Sequence, residues 1–117
     1  MAATTRPAAT PVVLHGCGGQ PVTSPTTFTL ACGDGKISLG SLVWSDWGRP
    51  TASATGKYLA VGCVPDCASG TEVPYAATVT VSGLLDGGYT VMHISAPHAP
   101  SRTADYRLDY QGPVEAR

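Results

Sequence analysis

The chain has 117 residues and a mass of 11.9 kDa, which is room for one domain. Charged residues make up 13%, about half the usual share, and 14 glycines with 10 prolines leave little place for long helices. With a net charge of −1, two lysines and apolar runs only a few residues long, the sequence excludes a basic nucleic-acid binder, a coiled coil and a membrane span, and points to a small all-β domain.

Residues 1–10, MAATTRPAAT, are small and polar and lack the apolar stretch of an export signal, so they read as a flexible N-terminal arm. The first strand is expected at Val12–His15, ended by Gly16, Gly18 and Gly19, and a loop with Pro21 and Pro25 follows. The second, Thr27–Cys32, alternates so that Phe28, Leu30 and Cys32 share one face. Gly33-Asp34-Gly35 is a hairpin turn. In the third strand, Lys36 to about Trp44, the apolar phase moves at Gly40 from Ile37 and Leu39 to Leu42 and Trp44, which predicts a β-bulge. A Thr/Ala/Ser stretch then leads to the fourth strand, Lys57–Gly62, and the fifth is Tyr75–Ser82. Asp86-Gly87-Gly88 turns the chain into the sixth, Tyr89–Ser95, and the last is Asp105–Tyr110. About seven short strands predict one antiparallel sandwich or barrel over residues 11–110, with 111–117 as a C-terminal tail.

The four cysteines, Cys17, Cys32, Cys63 and Cys67, allow three disulfide pairings. Two local pairs, Cys17–Cys32 and Cys63–Cys67, are preferred, because each lies in its own loop neighbourhood. The spacings suit a four-cysteine zinc site poorly. Paired cysteines imply an oxidising compartment, hence secretion. The chain has no Asn, so it carries no N-glycosylation sequon.

Four segments carry a resemblance: Phe28-Thr29-Leu30-Ala31-Cys32-Gly33-Asp34-Gly35, Leu42-Val43-Trp44-Ser45-Asp46-Trp47-Gly48, Ala54-Thr55-Gly56-Lys57-Tyr58, and Cys63-Val64-Pro65-Asp66-Cys67-Ala68-Ser69-Gly70. In this order the chain resembles a group of small exported, disulfide-containing proteins of high-GC Gram-positive bacteria, with a looser likeness through Tyr89–Pro97 and Tyr106–Leu108. The resemblance implies export and paired cysteines and transfers no catalytic residue.

Residues with catalytic chemistry are few. A hydrolase would draw a base from His93 or His98, a nucleophile from Ser95 or Ser101 and an orienting acid from Asp105 or Asp109, but no G-x-S-x-G elbow is present. Gly16-Cys17-Gly18-Gly19 lacks the Lys-Ser/Thr of a phosphate-cradling loop. His15, His93 and His98 fall in no metal-binding spacing, so neither a metal nor another cofactor is expected. Asp105 and Asp109 lie on one face of the last strand, where charge protects an edge from aggregation.

The most suggestive run is Trp44-Ser45-Asp46-Trp47. Trp44 is in phase with Leu42 and is expected in the core. Trp47, off phase and in a loop, is expected to be the more exposed indole and, with Asp46, Arg49 and Tyr58, to form a binding surface for a protein or carbohydrate. The sequence therefore reads as an exported β domain acting by binding or structural association, with a homodimer as one form of it. No His–carboxylate pair is expected inside a pocket. The alternatives are a small enzyme with a His/Asp site and a secreted protease inhibitor. The inhibitor would present the Cys63–Cys67 loop; it matches subtilisin inhibitors in size and cysteine number, but the C-x3-C ring is short for an extended inhibitory segment.

Overall fold

The computed structural model describes residues 12–33, 35–61, 71–99 and 102–115. The expected arm over 1–10, the turn residue Asp34, the Cys63–Cys67 ring and Ser101 lie outside them. Nine strands are formed among the described residues: β1 (Leu14–His15), β2 (Pro21–Val22), β3 (Phe28–Thr29), β4 (Ile37–Ser45), β5 (Ala52–Val61), β6 (Glu72–Ser82), β7 (Val91–Ser95), β8 (Thr103–Asp109) and β9 (Gly112–Glu115). β3 to β9 form one seven-stranded antiparallel sheet in chain order, a meander curled into a half-barrel. β1 and β2 make a separate two-stranded sheet.

Alternation drives the curl. On β6, Ala77, Val79 and Val81 point inward, while Thr78 is exposed and Thr80 half-exposed on the outside. β7 buries Met92 and Ile94, and β8 buries Tyr106 and Leu108. Phe28, Leu30, Leu39 and Leu42 complete the core from the other side. At β4 the pairing with β5 shifts between Gly40 and Val43, which is the expected bulge.

Tyr58 and Tyr106 are both buried inside the curl. Burial, followed by the neighbouring Tyr58 and the Glu115 carboxylate, pushes the Tyr106 phenol up to about 12. Burial and then Glu115 also raise Tyr58.

Residues 12–32 act as a strap across one end of the half-barrel. Leu14 is fully buried, and Val13 bonds both ways to the β6–β7 hairpin, through its N–H to Gly87 O (2.9 Å) and its carbonyl to Tyr89 N (3.2 Å). The strap is closed covalently by Cys17–Cys32, 15 residues apart, as the local pairing predicts. It also runs hard against the β8–β9 turn. A Cβ on Gly19 would stand 2.6 Å from the Tyr110 carbonyl oxygen, and one on Gly112 would stand 2.9 Å from the Gly16 carbonyl oxygen. Both residues have positive φ, so glycine is required twice over at this crossing.

Several boundaries differ from the sequence reading. Pro21–Val22, expected as loop, pairs with β1. The Thr/Ala/Ser stretch from Ala52 belongs to β5, because its small side chains fit between Trp44 and Val79 on paired strands. Residues 112–115, expected in the tail, pair with β8, so the domain continues to Glu115. Cys32 leaves the Phe28/Leu30 face because Leu30 N and Ala31 N both donate to Ile37 O (2.9 and 3.0 Å), a bulge that breaks the alternation.

Candidate functional site

Trp47 is half-buried, as is Trp44. β4 ends at Ser45 and Asp46 takes a left-handed φ of 62°, so strand phase no longer governs residue 47. The turn folds the indole back against the core. Its ring meets Trp44 edge-to-face at 4.8 Å and Tyr89 at 5.2 Å. Its Nε1 donates to Val12 O at 3.1 Å, while Trp44, also half-buried, donates from Nε1 to Pro25 O at 2.7 Å. Tyr89 locks the same turn: its hydroxyl donates to Arg49 O (2.6 Å) and accepts from Gly48 N (2.9 Å). Asp46 and Arg49 are exposed on this turn, but Tyr58 is buried beneath Leu39 and beside Tyr75 on paired strands. The four expected contact residues therefore do not form one surface.

His93 and Asp105 sit directly opposite each other on β7 and β8, with Nδ1 2.6 Å from Oδ1. They lie on the outer face of the sheet, 46% and 58% exposed. The pair is a cross-strand hydrogen bond in open solvent and borders neither of the two concavities described next. Among the described residues, no group of three or more His, Cys, Asp or Glu is placed to hold a metal ion.

One concavity, of about 390 Å³, is a shallow trough on the outer face. Thr55, Ala76, Thr78, Ser95, Pro97 and His98 are among its lining residues. Apart from His98 it offers only small side chains and hydroxyls.

The other, of about 400 Å³, opens beside the strap. Three separate segments build it. The strap contributes His15, whose ring lies against Gly88, where a Cβ would meet Cε1 at 3.6 Å and Nδ1 at 3.8 Å. The β6–β7 hairpin contributes Leu85 and Asp86. Its two-residue loop has Asp86 at φ 52° and Gly87 at φ 81°, closed by reciprocal Leu85–Gly88 hydrogen bonds of 2.9 and 3.0 Å. The end of β8 contributes Arg107, Asp109 and Tyr110. The Asp109 Oδ1 accepts from Gln111 N at 2.8 Å, which fixes its carboxylate at the turn.

Leu85 and Tyr110 are 67% and 73% exposed, and both border this concavity. Arg107 also lies between Val91 and Val114 on the neighbouring strands, two further exposed apolar side chains. Among the described residues, no ion pair engages Asp86, Arg107 or Asp109. The sequence does not mark this site because its other large side chains lie about 70 to 95 residues from His15, which reaches them only because the strap crosses this end of the sheet. The signal available was limited to the exposed tail of the last strand, Asp109-Tyr110.

Compared with known proteins, the chain matches no family model, no curated protein and no solved structure. Among the described residues, no helix is long and apolar enough to cross a membrane.

Proposed function

We propose that the chain is an exported β domain that works by binding, and that its binding surface is the concavity between the strap, the β6–β7 hairpin and the β8–β9 turn. One observation carries the reading: two strongly exposed large apolar side chains, Leu85 and Tyr110, flank the same hollow as Asp86, Arg107 and Asp109. An apolar wall with a few convergent polar groups is the general form of a ligand site. Exposed Tyr and Arg together are also the residue types that dominate interface energetics. The Cys17–Cys32 bond supports export, since such bonds persist in oxidising compartments.

The test is a fragment screen read by amide chemical shifts on the oxidised full chain. Fragments should perturb residues 85–90 and 107–110, and a Leu85→Ser/Tyr110→Ser variant should lose those perturbations while keeping its melting temperature. Perturbations gathered at Asp46–Arg49, or in the outer-face trough, would refute the assignment.

A second reading, a small enzyme, draws on the 2.6 Å His93–Asp105 contact. Its support is thinner, because an acid–base pair on an open face has no wall to orient a substrate or exclude water. Replacing His93 with Gln should leave any fragment binding at the concavity unchanged.

A further inference from the structure

We infer that the concavity beside the strap takes a neutral saccharide, an inference that rests on this hollow being the binding surface. A pyranose ring has an apolar C–H face and a rim of hydroxyls, each both donor and acceptor. The hollow offers matching parts in the same small volume. The Tyr110 ring, with its backbone held at the glycine crossing and its side chain left to solvent, supplies a flat face for stacking. Leu85, on the hairpin, lines the same hollow and offers a second apolar contact. Asp86 and Asp109 accept hydroxyl protons, and the Arg107 guanidinium donates to hydroxyl oxygens through its planar fork. His15 can do either.

The charge balance selects against other ligand classes. Two carboxylates against one guanidinium leave the hollow negative, which repels phosphates, nucleotides and acidic peptides. Asp86, Arg107 and Asp109 are all exposed, so a cationic or zwitterionic ligand held by ion pairs alone gains little in water. A neutral polyol depends instead on stacking against Tyr110 and Leu85, with hydrogen bonds to the same polar groups setting its orientation. The groups are also held in place before a ligand arrives. Asp109 is tied to Gln111 N, Asp86 sits on a two-residue turn, and His15 is packed on Gly88 two residues from the Cys17–Cys32 bond. Such preorganisation lowers the entropy cost of binding.

The test is a titration of the oxidised full chain with cellohexaose, xylohexaose and chitohexaose, and separately with triglycine as a zwitterionic probe, followed by calorimetry and amide shifts. At least one saccharide should bind with shifts at residues 85–90 and 107–110. Tyr110→Ala should weaken that binding about tenfold or more, and Arg107→Gln should weaken it as well, with both variants melting as the wild type does. If triglycine perturbs the hollow and all three saccharides leave it unchanged at millimolar concentration, the saccharide inference fails and the binding surface stands. If none of the four probes perturbs the hollow and the fragment screen points elsewhere, both fail.

Discussion

Replacing Trp47 with Ala is the perturbation that separates a buried turn anchor from an exposed contact residue. Full truncation of a buried large aromatic costs about 3–5 kcal/mol, and Trp47 is half-buried, so its apolar share is roughly 1–2 kcal/mol. Loss of the Nε1 bond to Val12 O at 3.1 Å adds about 1 kcal/mol. Loss of the edge-to-face contacts with Trp44 and Tyr89 adds about 0.5–1.5 kcal/mol. The sum is about 2.5–4.5 kcal/mol, or a fall in melting temperature of roughly 10–20 °C for a domain of this size. Urea denaturation with an unchanged m-value is the assay. Trp44→Ala should cost a similar amount, because that indole is also half-buried and donates to Pro25 O at 2.7 Å. A Trp47→Ala cost under about 1 kcal/mol beside a large Trp44→Ala cost would refute the packing argument and return Trp47 to the surface. A double-mutant cycle between Trp47→Ala and Tyr89→Phe should show coupling, since the two rings brace one turn.

Removing the strap's covalent closure by Cys17→Ser/Cys32→Ser should cost about 3 kcal/mol for a separation of 15 residues, measured by denaturation under non-reducing conditions. Gly56→Ala should destabilise far more than Gly40→Ala: its Cβ would meet the Gly40 carbonyl oxygen at 2.6 Å, a backbone atom that cannot yield, whereas at Gly40 the nearest atom is the movable Leu59 Cδ1 at 3.0 Å. Stability should also fall in alkali. The Tyr106 phenol is pushed from 10.0 to about 12 in the fold, so between these values the unfolded chain loses its proton first, and stability is complete below pH 10 and lost as pH rises toward 12. The loss is at most about 2–3 kcal/mol, and Tyr106→Phe should flatten this part of the pH–stability curve; an unchanged slope would refute the coupling.

The sheet was legible because its strands obey a strict two-residue alternation and its turns use residues suited to left-handed backbone. The Val79/Val81, Met92/Ile94 and Tyr106/Leu108 pairs mark the inner face by pattern alone, and Asp86-Gly87 marks its hairpin. Gly40 announces the β4 bulge in the same way. The pattern fails where non-local packing decides. Pro21–Val22 and Gly112–Glu115 are too short to show a period and become strands only beside partners that the fold supplies. Trp47 misleads for a related reason: a carbonyl 35 residues away captures its indole N–H. Tyr58, expected on the same surface as Trp47, is turned into the curl by its strand position. The concavity was the least legible feature. His15, Asp86 and Asp109 have no local relation, and it takes the Val13 bonds to the hairpin, the β7–β8 pairing and the crossing of Gly19 over the Tyr110 carbonyl to bring their segments together.

The most direct test of the central claim, that binding occurs in the hollow beside the strap, is a crystal structure of the oxidised chain soaked with a fragment mixture. Bound density is expected between Leu85 and Tyr110, within hydrogen-bond reach of Asp86, Arg107 or Asp109. Density confined to the Trp47 turn, or to the Thr55–Thr78–Ser95 trough, with the hollow holding only solvent, would contradict it.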